Sequence, residues 1–171
     1  EFGFTAVDIA VGDPEQFPTR ETAAELKKTG LIPVITKALP PEYNPVSPDP
    51  RCRRAAAEYL KRLVDIAAEI HSTLVAGVIY AGWGYRTGRP PTEDEWKRSV
   101  ECLREAAEYA QLYEILENAL AQFAAAMEGE PMDDGEFLRL WRLTLSQYSV
   151  GAIPVALDNV QAGSFERMSF H

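Results

Sequence analysis

The sequence has no basic stripe, no cysteine framework and no long apolar run. Its 26 acidic residues against 17 basic ones give a formal net charge of -9, which excludes nucleic acid as a first partner, since a phosphate-backbone binder concentrates Lys and Arg. The two cysteines, Cys52 and Cys102, each fall on an expected helix and form no C-x-x-C. That usage points to a reducing, cytoplasmic setting. Nothing approaches the roughly 18 apolar residues that a membrane span requires, and no basic-plus-apolar leader opens the chain. A membrane partner is not expected. An initiating methionine is also missing: the chain opens at Glu1 and is in strand-like sequence by Phe4, so residues upstream are expected to have been removed, processed or left out.

What is present is ordinary for a globular protein. With 171 residues, 46% apolar and 25% charged, the chain is about one domain long and can bury a core. Phe4 to Val11 is β-rich and ends in the turn signal Gly12-Asp13-Pro14, a first strand. Thr19 is placed to cap a helix over Glu21 to Thr29, and Gly30 stands where a helix-ending glycine belongs. Leu31 to Thr36 reads as a second strand, with Pro33 at a position that needs no ladder donor. The stretch Leu39 to Pro50 is proline-rich and reads as a long loop on the side of a parallel sheet where binding groups gather. Ser47 or Asp49 before a proline can open the next helix. Ala56, Leu60, Leu63, Ala67 and Ile70 form its apolar stripe, and His71 closes it as a cap.

Leu74 to Tyr80 is an apolar run with no polar alternation, the pattern of a strand covered on both faces. It breaks into Gly82-Trp83-Gly84. An aromatic at that place either lines a site at the strand's carboxyl end or plugs the end of the core. Thr92-Glu-Asp-Glu95 is a capping box, followed on one helical face by Trp96, Val100, Leu103, Ala107 and Ala110. Strands alternating with helices at this spacing predict a parallel sheet with right-handed crossovers.

Gly3-Phe-Thr-Ala-Val-Asp-Ile9, the Ser47-Pro-Asp-Pro-Arg51 loop with Arg54 to Arg62, and Tyr80-Ala-Gly-Trp83 before Arg89 to Trp96 resemble the first half of the sugar phosphate isomerase/epimerase family. These are xylose isomerase-like TIM barrels that include the ketose 3-epimerases. The resemblance implies an α/β fold, a partial barrel of about four βα units, over residues 1–111. Residues 112–171 form a divergent helical segment and a final αβ unit within the same domain. It also implies an isomerase or epimerase that moves a proton next to a carbonyl through an enediolate, on a small-molecule sugar. A divalent metal (Mn, Co or Mg), held by two glutamates, an aspartate and a histidine on later strands, would assist, in a cytoplasmic homo-oligomer. Trp83 matches the family's aromatic that lines the sugar pocket.

After Gln111 the family's ligand motif is absent. Leu112-Tyr-Glu-Ile-Leu116 offers Glu114 as a catalytic and metal-ligand candidate, yet Leu116, Ala119, Leu120, Phe123 and Met127 keep helical spacing. A helix running on from Glu95 would be unusually long, so a break is expected near Gln111. Phe137, Leu138, Trp141, Leu145 and Tyr148 make another stripe. Gly151 to Leu157 echoes the second strand, and Asp158 beside Asn159 is a second metal-ligand candidate or a turn. Glu166 and His171 follow no family motif. The alternative to an enzyme is a non-catalytic or truncated barrel relative acting as a binding or assembly module. A third class, an abasic-site endonuclease on the same barrel, lacks the basic surface and histidines that activity needs.

Overall fold

The computed structural model describes residues 3–126 and 133–148. Among them three strands, β1 (Ala6–Ala10), β2 (Ile32–Thr36) and β3 (Val75–Ala76), form one parallel sheet in the order β1-β2-β3. Four helices accompany it: α1 (Thr19–Thr29), α2 (Pro50–Glu69), α3 (Glu93–Ala126) and α4 (Asp134–Leu145). The βαβ order expected from the sequence is therefore present, and the sheet is the partial parallel sheet of a barrel. The expected strand at Gly151 to Leu157 lies outside the described residues.

Local chemistry explains the boundaries. Asp49 Oδ1 accepts from the Arg51 amide at 2.8 Å and Pro50 opens α2, while Gly30, with φ of 67°, ends α1 by donating to the Leu26 carbonyl at 2.9 Å. Thr19 is the first residue of α1 and donates to the Phe17 carbonyl instead of capping. Pro33 is tolerated because the β2 amides that face β3 begin to pair only at Ile35, which donates to the Leu74 carbonyl. His71 takes a left-handed φ of 57°, and the Ser72 amide closes α2 on the Ala67 carbonyl.

The odd-numbered face of the sheet, with Ile9, Val11 and Ile35, packs on α2 through Leu60, Leu63 and Ile66. Each buried side chain of this size contributes roughly 1.5–3 kcal/mol. Helices cover this face alone. Leu74 and Tyr80 are exposed, so the third strand is not buried on both sides as its composition predicts. It is also shorter: regular strand ends at Ala76, and Gly77 at φ of 108° breaks the extended backbone, although the Leu39 amide still donates to the Val78 carbonyl at 3.0 Å.

α3 corrects two expectations. It runs unbroken for 34 residues, about 50 Å at 1.5 Å per residue. Its buried line is Glu95, Ser99, Cys102 and Ala106, one position off the stripe that begins at Trp96, which is exposed. The reason is polar. Glu95 and Ser99 face inward because they bond the preceding loop. α3 packs on α2, where the Tyr109 hydroxyl donates to Asp65 Oδ1 at 2.8 Å, and α4 packs on its far end through Phe123, Phe137 and Trp141. No helix among the described residues is long and apolar enough to cross a membrane.

Candidate functional site at the carboxyl ends of the strands

Parallel strands end together, and α/β folds bind ligands outside those carboxyl ends. Here a shallow recess of about 320 Å³ is lined by Ala10 and Val11 after β1, Thr36, Lys37 and Ala38 after β2, and Gly77 and Val78 after β3. Lys37 Nζ donates to the Val11 carbonyl at 2.8 Å and to the Gly12 carbonyl, and lies 5.4 Å from the centre of the Tyr59 ring. It ties the β1–α1 loop to the end of β2. Burial lowers the Lys37 pKa against the opposing charge of Asp13. The same burial, with the Asp13 charge, pushes the Tyr59 phenol up to about 12. On the open face of the sheet the Thr36 hydroxyl donates to Asp8 Oδ1 at 2.6 Å. Gly77 is required: a Cβ there would stand 2.4 Å from the Lys37 carbonyl oxygen.

The loop after β3 forms the rim. The Trp83 amide donates to the Leu39 carbonyl at 2.7 Å, and the Gly82 amide donates to Asn44 Oδ1 at 3.0 Å. A Cβ on Gly82 would meet the Pro41 carbonyl oxygen at 3.1 Å and Asn44 Cβ at 3.2 Å, tight contacts that would press the two loops apart by a few tenths of an ångström. Further along, Glu95, 5% exposed, gathers the loop onto the start of α3. It accepts from the Arg89 guanidinium at 2.8 and 3.1 Å, from the Tyr85 hydroxyl at 2.8 Å and from the Thr92 amide at 2.8 Å. The Arg89 guanidinium, with the Thr92 amide and the Tyr85 hydroxyl, holds the Glu95 carboxyl far below the usual carboxylate range.

Among the described residues the sequence-derived candidates are not brought together. Trp83 stands on the rim, 60% exposed, and is not among the residues lining the recess. Glu114 is exposed on α3, about 30 Å along the helix from its first turn at 1.5 Å per residue. The family's strand at that point is replaced here by helix. Asp158, Glu166 and His171 lie outside the described residues. His71 is exposed at the end of α2, which leads into the start of β3 and not its carboxyl end. Among the described residues no group of three or more His, Cys, Asp or Glu could hold a metal ion. The described residues therefore do not fit the divalent metal that the resemblance implies. Residue-type reasoning missed Asn44 and Lys37; the signals were an asparagine before a proline within the loop marked as binding, and a lysine directly after β2. A larger hollow of about 540 Å³ runs along α4, but one helix lines it, with two arginines among apolar residues and glycine, and it is far from the strand ends.

The comparisons agree with this architecture. A component of an ATP-dependent helicase/deoxyribonuclease from Clostridium perfringens (strain SM101) is 41% identical over 74 residues, 43% of this chain and 6% of that protein. An L-ribulose 3-epimerase from Mesorhizobium japonicum is 29% identical over 111 residues, 65% of this chain and 37% of that protein. The structure of a D-allulose 3-epimerase from Methylomonas sp. in complex with D-allulose superposes with a TM-score of 0.59 at 25% identity, over 63% of this chain and 37% of that one. The chain thus spans little more than a third of the length of the epimerases it matches, and a far smaller share of the helicase/deoxyribonuclease component. Residues 1–134 match the xylose isomerase-like TIM barrel family, and with its parallel βαβ order and its recess at the strand ends this chain belongs to that family.

Proposed function

We propose that residues 1–111 are the barrel portion of a sugar isomerase/epimerase that acts on a ketose or sugar phosphate by proton transfer next to the carbonyl, through an enediolate. The observation that carries this reading is the superposition on a ketose 3-epimerase over 63% of the chain. Trp83, on the rim, offers an indole face to the sugar. Lys37 shapes the mouth and leaves its hydrogen-bonding capacity on backbone carbonyls. No described residue is assigned the proton transfer, and Glu114 and Asp158 remain the metal-ligand candidates, the first of them distant from the strand ends. The setting is cytoplasmic and the assembly a homo-oligomer.

The test is exchange of the C3 proton of D-fructose, D-tagatose or L-ribulose in deuterated water, followed by NMR with Mn²⁺, Co²⁺ or Mg²⁺ supplied. Exchange is the expected result. Its absence, with no metal uptake by calorimetry, rejects the reading for this chain.

A second reading is favoured by one observation: the open face of the sheet, with Ile32 and Leu74 exposed to solvent. In it the chain is a non-catalytic or truncated barrel relative that serves as a binding or assembly module. This reading expects a dimer or larger species whose dissociation unfolds the sheet. A stable monomer in light scattering at low micromolar concentration counts against it.

A further inference from the structure

We propose that Asn44 and Glu95 are positioning residues that hold Trp83 rigidly on the rim so that its indole presents an apolar face to the sugar's C–H face. The proposal rests on the sugar reading above. Its physical basis is a contrast between backbone and side chain. The backbone from Tyr80 to Tyr85 is bonded at several points: the Ser99 hydroxyl donates to the Tyr80 carbonyl at 2.7 Å, Asn44 Oδ1 accepts from the Gly82 amide, and the Trp83 amide donates to the Leu39 carbonyl. Tyr85 is then tied through its hydroxyl to Glu95. Trp83, carried by this anchored segment, is nevertheless 60% exposed. A tryptophan packed in a core is buried; here the backbone is hydrogen-bonded on both sides of Trp83 and the residue stays exposed. Ordering a binding group in advance removes an entropic cost from association.

The two anchors are suited to support and not to chemistry. Asn44 is 8% exposed, and its Oδ1 also accepts from the Val46 amide at 3.3 Å, so it bridges the proline-rich loop to Gly82. Both Glu95 oxygens are occupied, Oε1 by Tyr85 and Arg89, and Oε2 by Arg89 and Thr92. No lone pair is left for a substrate proton.

The experiment uses the full chain carrying Trp96→Phe and Trp141→Phe, which leaves Trp83 as the one tryptophan of three. Time-resolved anisotropy reads the motion of its indole, and quenching by D-fructose or D-tagatose reads binding. Asn44→Ala is expected to speed depolarisation and weaken the sugar by about tenfold, the factor that one unsatisfied buried amide corresponds to. Asn44→Asp keeps an oxygen acceptor and is expected to restore both. Glu95→Gln, which loses the ion pair with Arg89, is expected to shift the anisotropy the same way and by less. Should Asn44→Ala fail to fold, Glu95→Gln supplies the comparison alone. Unchanged anisotropy in the folded variants overturns the proposal, whatever the sugar does. Absence of quenching in the parent rejects the sugar reading, while the anisotropy still decides whether these residues hold the indole.

Discussion

The sheet with α2 and the outer half of α3 with α4 both carry apolar residues at regular spacing, yet they are held in different ways. In the first region Ile35, Leu63 and Ile66 are fully buried, and helices cover one whole face. In the second, Leu112, Leu116 and Leu120 sit exposed on α3, and α4 is held there by an aromatic cluster of Phe123, Phe137 and Trp141. The difference shows that an apolar stripe stabilises only as far as another element lies across it. Amphipathic pattern alone does not distinguish the two halves of α3.

The contrast is sharpest in the core. Leu63→Ala should lose about 2–5 kcal/mol through the cavity it opens, while Leu116→Ala should change stability by less than about 0.5 kcal/mol, as exposed positions do. Urea denaturation of both variants measures this, and comparable losses would erase the distinction between the regions. Gly77→Ala comes next. A side chain at φ of 108° and 2.4 Å from the Lys37 carbonyl should cost about 2–3 kcal/mol in strain, read by thermal unfolding. Phe123→Ala removes both edge-to-face pairs that bind α4 and should loosen it by about 1–2 kcal/mol. Amide hydrogen exchange would then accelerate in α4 while β2 stays protected; acceleration in both would mean the regions unfold together. A smaller effect, of opposite sign, is expected at the seam. Gln111 Oε1 is buried and has no hydrogen-bond partner among the described residues, so Gln111→Met should raise stability by about 1 kcal/mol, measured by the denaturation midpoint.

Much of the scaffold was legible because its signals are short-range. The Gly30 stop and the Thr92 to Glu95 box were read from neighbours in sequence and form as read, and of the two starts offered, Ser47 or Asp49, it is Asp49 that caps α2. The expected break near Gln111 failed because α3 has no proline or glycine there to end it. The offset of its buried face could not be read either. Periodicity ranks Trp96 as inward and Glu95 as outward, and it cannot register that a carboxylate will find a guanidinium, a hydroxyl and an amide waiting in the loop before it.

By itself, then, the sequence determined the order of the described strands and helices up to α3, the caps at Gly30 and Thr92 and the parallel direction of the sheet, since these follow from periodicity and from bonds between residues a few positions apart. Tertiary structure alone decided which face of the sheet is covered, and that Asn44 reaches an amide 38 residues away to fix the segment carrying Trp83. Those outcomes depend on burial and on the meeting of distant groups, and neither is encoded in the neighbours of any one residue.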